Sequence, residues 1–309
     1  MSQNDYAVAA EQGDPKAQFK LGCCYMDGTG VETDATRAAH WFCVSAEQGD
    51  ADGQFSYANC LYKGLGVPED RPAALEYYIN AAKQDHVGAC NFLGDHFRGE
   101  GQDLPAAVGW YRRGAALNDA AAQCSLAFCY HEGIGVEKDA DTAFGWFQKS
   151  AGQGNVAAQR LLGYLYECGL GCPKDAKQSF EWYLKAAAQG DVFAQTNVAG
   201  CYSDGLGVEQ DLALSHHWYR KAAEKGERGA QGLLGYFYEA GVGCEADPKE
   251  AFRWYQVASQ NDNATAHFLL ANCYENGIGV EVSREEALKM YKRALEAGIN
   301  QAEERINAL

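Results

Sequence analysis

The sequence predicts an all-α protein built from tandem helical hairpins, and three observations lead to this fold class. A pattern of apolar and small residues recurs every 36 residues, with one interval of 33. Inside each repeat the apolar residues are three or four positions apart, as on one face of a helix. Glycine-rich turns separate the helical segments. The recurring positions are Leu21, Tyr57, Leu93, Leu126, Leu162, Val198, Leu234, Leu270 and Ile306.

These positions divide the chain into one expected repeat domain, residues 1–309. Residues 14–301 form eight full repeats. Residues 1–13 are predicted to form an N-terminal capping helix, and residues 302–309 a C-terminal capping half-repeat. One hairpin cannot bury both of its apolar faces, so the repeats are expected to stack on their neighbours.

Each repeat is predicted to contain two short helices joined by a G-x-G turn. In the fifth repeat, the first helix buries Ala158, Leu162, Gly163 and Tyr166, which share one helical face. The second helix begins after a residue suited to the N-cap. These residues are Asp34, Asp70, Asp139, Asp175, Asp211 and Asp247, with Ser283 in the eighth repeat.

The second helix is expected to bury one face, which in the first repeat comprises Ala38, Trp41, Phe42, Ser45 and Ala46. It is expected to end at a residue that tolerates left-handed backbone. All the tryptophans fall in the Trp41 column of this face. The tryptophans are Trp41, Trp110, Trp146, Trp182, Trp218 and Trp254. The ending positions are Gly13, Gly49, Asp85, Asn118, Gly154, Gly190, Gly226, Asp262 and Gly298.

The third repeat departs from this pattern. Five residues separate Phe97 from Asp103, whereas eight separate Tyr25 from Asp34 in the first repeat, so the third repeat is shortened by three residues. Two interpretations stay open: a harmless loop deletion, since loops tolerate changes in length, or a local change in superhelix geometry.

The pattern A-x3-LG-x2-Y-x2-G-x-GV-x2-D-x3-A-x2-WY-x2-AA-x2-G is almost intact in residues 194–226. It resembles the Sel1-like repeat family, a relative of the tetratricopeptide repeats, and the resemblance covers essentially the whole chain. It implies a right-handed superhelical solenoid of antiparallel helical hairpins. It also implies an adaptor or scaffold that binds proteins, without identifying a partner.

The composition and charge of the chain argue against some classes of partner. The chain has 26 Lys and Arg against 42 Asp and Glu, a net charge of −16, which argues against binding to nucleic acid. No apolar stretch reaches the length of a spanning helix, so no membrane partner is expected. The first residues do not resemble a secretory signal, which predicts a cytoplasmic location. The oligomeric state stays open.

Catalytic motifs are missing from the sequence. It contains neither a G-x4-GK[ST] phosphate loop nor HExxH, and its G-x-G turns do not follow strands. Some secreted Sel1-like proteins are associated with penicillin binding or β-lactamase activity, which makes a secreted or host-directed hydrolase the alternative function. The S-x-x-K and K-T-G motifs of that chemistry are absent. We therefore expect no catalytic residue and no cofactor.

The cysteines and histidines are expected to be structural, without a metal site. Cys168 and Cys172 flank one turn, and Cys124, Cys129 and His131 lie near each other on one helix, but neither group supplies four zinc ligands. Core packing is predicted for one cysteine column, and solvent exposure for three histidines. The cysteines are Cys24, Cys60, Cys129, Cys201 and Cys273, and the histidines are His40, His216 and His217.

A partner is predicted to bind the face of the first helices that we call the groove face. It comprises the columns that start at Lys16, Phe19, Cys23 and Met26, which vary between repeats. By resemblance to tetratricopeptide repeats, this face lines a concave groove. The candidate binding residues are Phe19, Met26, Phe55, Asn59, Tyr62, Arg98, Phe128, His131, Arg160, Tyr164, Glu167, Tyr236, Glu239, Phe268, Asn272 and Glu275.

Aromatic and scattered polar groups of this kind suit recognition of a protein or peptide segment. The acidic residues Glu167, Asp204, Glu239 and Glu275 occupy the C-terminal half of this region. We therefore expect a segment with apolar anchors toward the N-terminal half and basic residues toward the C-terminal half. The competing interpretation is that these aromatics pack inside the fold.

Overall fold

The computed structural model describes residues 3–309, which form eighteen α-helices and no strand. The chain divides into two units, unit 1 up to Asn155 and unit 2 from Val156 to Leu309. The helices of unit 1 are α1 (Gln3–Glu11), α2 (Pro15–Asp27), α3 (Ala35–Glu47), α4 (Ala51–Lys63), α5 (Arg71–Lys83), α6 (Val87–Arg98), α7 (Leu104–Ala116), α8 (Ala120–Glu132) and α9 (Ala140–Gly152). Those of unit 2 are α10 (Val156–Cys168), α11 (Ala176–Ala188), α12 (Val192–Asp204), α13 (Leu212–Glu224), α14 (Arg228–Ala240), α15 (Pro248–Gln260), α16 (Ala264–Asn276), α17 (Arg284–Glu296) and α18 (Gln301–Ala308).

Each repeat is a hairpin of two helices, from α2 and α3 in repeat one to α16 and α17 in repeat eight. Within each unit, every hairpin packs on the next one along the chain. This arrangement confirms the predicted all-α fold of stacked helical hairpins, because the apolar faces of each hairpin are covered by its neighbours.

The predicted N-caps begin the second helices. The Asp34 carboxylate accepts a hydrogen bond from the Arg37 backbone N–H at 2.9 Å, and Asp211 accepts one from Leu214 at 2.9 Å. Ser283 caps α17 through the Glu286 N–H at 3.3 Å. These bonds satisfy backbone donors that the first helical turn leaves unpaired.

The helix-ending column is confirmed at all nine positions. Each residue has a positive φ, including the three that are not glycine: Asp85 at 64°, Asn118 at 62° and Asp262 at 56°. Asparagine and aspartate tolerate this conformation better than other side chains. A purely local backbone requirement therefore explains this column.

Of the two aromatics predicted to be buried on the second helix, the residue after tryptophan is buried as predicted, as at Phe42 and Tyr255, whereas the prediction for the tryptophan column is corrected. Five tryptophans are half-buried and only Trp254 is buried, at 8% exposure. The next residue packs on a small residue of the first helix. In repeat five, a methyl group on Gly163 would lie 2.7 Å from the Tyr183 ring. In repeats four, five and six a lysine lies over the half-buried tryptophan ring. In repeat five, Lys185 Nζ is 3.6 Å from the Trp182 ring centre.

Backbone contact joins consecutive repeats at the second glycine of the G-x-G turn. Gly207 follows α12 with a φ of +73°, and a methyl group there would lie 2.0 Å from the Ala176 carbonyl oxygen at the start of α11. The turn then closes through the Asp211 N–H, which donates to the Tyr202 carbonyl at 2.9 Å. Only glycine fits this close approach.

The shortened third repeat closes its turn in another way. Its first helix has twelve residues, and Gly99 at the end has a φ of −96° instead of a left-handed conformation. The Asp103 N–H still donates to the backbone carbonyl of Phe97 at 2.9 Å, and Asp103 caps α7. The deletion therefore removes loop residues and keeps the bond that positions the second helix.

Candidate functional site

Several aromatics of the groove face pack inside their own hairpin. The Phe19 ring centre lies 6.0 Å from that of Phe42, and Phe268 lies 5.4 Å from Tyr291. Phe55 lies 5.7 Å from Tyr78 of its own hairpin and also stacks at 4.4 Å on His86, which caps α6. All three phenylalanines are half-buried. The packing interpretation therefore holds for these residues, which offer a partner only part of their surface.

Two predicted aromatics of unit 2 are exposed. Tyr164 is 43% exposed and Tyr236 is 51% exposed. Phe193, at 62% exposure, lies in the groove-face column that starts at Lys16. The Arg160 guanidinium lies 5.5 Å from the Phe193 ring centre, and Arg160 Nε lies 3.4 Å from the Asp191 carboxylate. Sequence reasoning defined this column and did not single out Phe193.

Polar members of the groove face bind the buried tyrosine of the second helix. The hydroxyl of Tyr183 donates to Glu167 at 2.7 Å, and that of Tyr255 donates to Glu239 at 2.6 Å. The Tyr78 hydroxyl donates to Asn59 at 2.9 Å. These polar residues thus satisfy a core hydroxyl as well as facing outward.

Glu275 in repeat eight is also paired. It accepts hydrogen bonds from Tyr291 and from Arg305, each at 2.6 Å, and Tyr291 also contacts Asn272. Burial opposes ionisation of Glu275, but the bonds from Tyr291 and Arg305 outweigh it and lower the pKa of this carboxyl. Arg305 therefore offsets one of the four acidic charges that the sequence places here.

The remaining candidates lie mainly in unit 1. Tyr62 is half-buried against Phe92, and its hydroxyl donates to Glu100 at 3.2 Å. Arg98 is exposed and lies 5.9 Å from the Tyr111 ring centre. His131 lies 6.4 Å from Phe147. Met26 and Phe128 are half-buried.

Repeat six contains a pocket of about 330 Å³, which we call the repeat-six pocket. It forms because three groove-face columns carry Thr196, Gly200 and Ser203, where the neighbouring repeat five carries Arg160, Tyr164 and Glu167. The lining residues are Glu167, Lys174, Ala176, Ser179, Tyr183, Thr196, Asn197, Gly200, Cys201, Asp204, Leu206 and Tyr219.

Tyr219 differs from the other buried second-helix tyrosines. Among the described residues, its hydroxyl has no hydrogen-bond partner, although the side chain is only 7% exposed. The equivalent hydroxyls of Tyr78, Tyr111, Tyr183, Tyr255 and Tyr291 all donate to an acid or amide of the first helix. A methyl group on Gly200 would lie 3.7 Å from the Tyr219 hydroxyl oxygen. The small residues of repeat six therefore leave this hydroxyl facing the pocket.

The helical hairpins correspond to repeats of a known protein family. The Sel1 repeat model matches eight segments, residues 15–50, 51–86, 87–119, 120–155, 156–191, 192–227, 229–263 and 264–299. The chain belongs to the Sel1 repeat family. Sel1 repeat proteins are generally protein-interaction scaffolds, and their fold is typically non-enzymatic.

Two solved structures are similar along nearly the whole length of this Sel1 repeat protein. One is c5321, a protective antigen of uropathogenic Escherichia coli with an SLR fold. It is 34% identical, with a TM-score of 0.94 over 100% of this chain and 67% of that chain. The other is a Sel1 repeat protein from Oxalobacter formigenes, 27% identical, with a TM-score of 0.76 over 99% of this chain and 90% of that one. No curated protein matches significantly.

The cysteine column of the Sel1 repeats packs in the core as predicted. Cys60, Cys129 and Cys273 are at most 1% exposed, and Cys24 and Cys201 are also buried. Burial raises the pKa of the Cys60 and Cys201 thiols to about 11 and that of Cys273 to about 12. These thiols are therefore protonated and unreactive at neutral pH.

The histidine prediction holds for two of three residues. His40 and His217 are exposed, but His216 is half-buried, with its ring 5.1 Å from that of Tyr238. Burial lowers the pKa of His216. Aromatic neighbours from α14 cover this ring, which the position of His216 on its own helix did not indicate.

The described residues contain neither a membrane-spanning helix nor a cluster of metal ligands. In the stretch 3–309, no helix is long and apolar enough to span a membrane. Within the same stretch, no three His, Cys, Asp or Glu side chains converge as metal ligands.

Proposed function

We propose that this Sel1 repeat protein binds a segment of another protein along the groove face of unit 2. The exposed aromatics support this placement, because Tyr164, Phe193 and Tyr236 all belong to groove-face columns. Aromatic side chains supply much of the binding energy in protein interfaces. The single observation that carries the proposal is this coincidence of exposed aromatics with the columns that vary between repeats.

The chemistry of the partner follows from the residues around these aromatics. Glu167 is exposed, and Glu239, which shares its groove-face column, is half-buried. Asp204, next to this column in repeat six, is also exposed. A segment with apolar anchors and basic residues complements this surface. Because Phe19 and Phe55 are half-buried, we place the main apolar contacts with the partner in unit 2 and not in the N-terminal half.

The experiment that tests this proposal is site-specific photocrosslinking. A photoreactive phenylalanine replaces Tyr236 in one variant and the control residue Leu214 in another. Leu214 is 38% exposed and lies on the second helix α13, away from the groove face. Mass spectrometry then identifies any crosslinked segment, which is synthesised and titrated against the purified chain.

We expect the segment to crosslink at position 236 and not at position 214. Tyr236→Ala should weaken its binding about tenfold, as for a moderate hot spot, while Leu214→Ala leaves it unchanged. Circular dichroism confirms that both variants fold. Equal affinity of wild type and Tyr236→Ala for the segment contradicts the placement.

The cytoplasm is the proposed location, and the distribution of thiols supports it. All twelve cysteines are free, and six of them are buried. Free thiols persist in reducing compartments. Thiol titration of the denatured protein, purified from its native source under alkylating conditions, tests this location: fewer than twelve reactive thiols contradict it.

The alternative function, a penicillin-binding or β-lactamase-like hydrolase, stays a prediction from resemblance. Nitrocefin turnover by the purified chain measures it directly. Turnover above that of a heat-denatured sample would favour the hydrolase over the scaffold.

A further inference from the structure

The repeat-six pocket carries an unsatisfied donor and acceptor. The Tyr219 hydroxyl faces it without a partner, while the side chain is more than nine-tenths buried. The hydroxyl oxygen itself is accessible from the pocket, where it can donate a hydrogen bond to a ligand and accept one from it. The column that supplies the acceptor in repeats five and seven, Glu167 and Glu239, holds Ser203 here. A ligand atom in the pocket can supply the missing partner.

The pocket is also acidic. Two carboxylates, Glu167 and Asp204, line it against one ammonium, Lys174, which lies on the exposed turn before α11. Burial raises the pKa of Tyr219 to about 12, with a further contribution from the Asp204 charge. The hydroxyl is therefore neutral at pH 7, and the net charge of the lining is −1, which attracts a cation.

The rest of the lining is apolar. Leu206, Ala176, Cys201 and the Tyr183 ring provide walls that suit an alkyl chain. The ligand that fits has a short aliphatic stem and a cationic head with several N–H donors. An arginine side chain has this form, and its planar guanidinium can donate to carboxylates and to a hydroxyl oxygen together.

We infer that the repeat-six pocket receives an arginine side chain of the bound protein segment. Its guanidinium donates to the carboxylates of Asp204 and Glu167 and to the Tyr219 hydroxyl oxygen, and its methylenes lie against Leu206. This inference rests on the proposed function, because it gives the groove face of unit 2 a specific subsite for a basic residue.

The first arm of the test needs no partner protein. Tyrosines are ¹³C-labelled, and the Tyr219 resonance, assigned with Tyr219→Phe, is followed while N-acetylarginine N-methylamide is added. The matched control ligand is the citrulline analogue, which has nearly the same shape and no charge. We expect a saturable shift of Tyr219 with the arginine compound and a much smaller one with the citrulline compound.

Two variants locate the binding. Gly200→Tyr fills the pocket with the residue that repeats five and seven carry at the same position, Tyr164 and Tyr236, so the helix accommodates it. Asp204→Asn removes one charge without changing volume. We expect Gly200→Tyr to abolish the probe-induced shifts of the pocket tyrosines and Asp204→Asn to weaken binding about tenfold. Equal shifts with citrulline, or probe binding unchanged in Gly200→Tyr, overturn the inference.

The second arm uses the segment found by crosslinking. Replacing its arginine by norleucine should weaken binding to wild type and have little effect on binding to Gly200→Tyr. If the replacement weakens both proteins equally, the arginine binds elsewhere and the inference fails. Failure of the proposed function is distinguishable from this outcome. In that case no segment crosslinks at position 236, whether or not the arginine compound binds to the pocket.

Discussion

Repeats six and seven share one framework and differ in what their first helices present. Each has a buried tyrosine on the second helix, a capping aspartate and a joint glycine pressed against the preceding repeat. In repeat seven the Tyr255 hydroxyl binds Glu239, whereas in repeat six Gly200 and Ser203 leave Tyr219 unpaired beside a pocket. The framework positions are thus the same in both repeats, and the groove-face residues decide whether the hydroxyl of the buried tyrosine is paired or faces a pocket.

The largest expected effect comes from the shared framework. Gly207→Ala should lower the free energy of unfolding by about 3 kcal/mol, because a methyl group would be strained at positive φ and would overlap the Ala176 carbonyl. Gly226→Ala is the matched control, since Gly226 has a φ of +90° with no atom near its missing side chain. It should cost only about 1 kcal/mol. Urea unfolding measures both, and equal losses would show that the close approach is unimportant.

The buried hydroxyls give the next largest effect and separate the two repeats directly. Tyr255→Phe removes the bond to Glu239 and should destabilise the chain by about 1 kcal/mol. Tyr219→Phe removes an unpaired hydroxyl and should be neutral or slightly stabilising. Chemical denaturation of the two variants under the same conditions provides the comparison. A comparable loss in Tyr219→Phe would mean that its hydroxyl is already satisfied.

Giving repeat six the tyrosine that repeat seven carries at the equivalent position should stabilise the folded chain modestly. Gly200→Tyr replaces a glycine inside α12 and fills the pocket, so we expect a gain of about 0.5 to 1 kcal/mol from helix propensity and burial. Thermal unfolding followed by circular dichroism measures the gain. Gly200→Ala provides the control for propensity, because its methyl group would lie 3.7 Å from the Tyr219 hydroxyl oxygen and leave most of the pocket empty. A clear loss at position 200 would contradict the geometry.

The smallest expected effect is a pH-dependent change in stability at Glu275, which occupies in repeat eight the column that Glu239 occupies in repeat seven. Glu275 has a lowered pKa in the folded chain, so its bonds to Tyr291 and Arg305 stabilise the fold above the unfolded pKa, near 4.3, and are lost as pH falls through the folded value. Glu275→Gln should therefore cost about 0.5 kcal/mol at pH 7. The difference from wild type should shrink below about pH 4. Paired denaturation curves at pH 7 and pH 3 test this, and a constant difference would exclude the ion pair as its source.

The fold was predictable because its determinants are local. Asp34 caps a helix through a hydrogen bond to its own first turn, and Asp262 ends one because aspartate tolerates positive φ. Neither needs knowledge of distant residues. The sequence predicts that tryptophan and the residue after it are both buried, because both lie near the buried side of the helix, but five of the six tryptophans are only half-buried. Which one is buried depends on contact with a small residue of the first helix, such as Gly163.

The candidate site was harder to predict because exposure depends on the partner helix. Phe55 and Tyr236 both belong to the groove face, but Phe55 stacks on His86 while Tyr236 stays 51% exposed. Phe193 was missed because its column is otherwise small or polar. The signal for the repeat-six pocket was present as Thr196, Gly200 and Ser203, three small residues in adjacent variable columns. This signal is found only by comparing side-chain sizes at equivalent positions of different repeats.

At Gly207 the three atoms nearest to the position of a missing side chain all belong to the backbone of the preceding hairpin. The same backbone contact recurs at Gly66, Gly243 and Gly279, and at Gly135 the Leu104 side chain lies close as well. A backbone contact of this kind depends little on which side chain the contacted residue carries. Whole hairpins exchanged at these turns can therefore keep this contact, but each new hairpin must still cover the apolar faces of its neighbours.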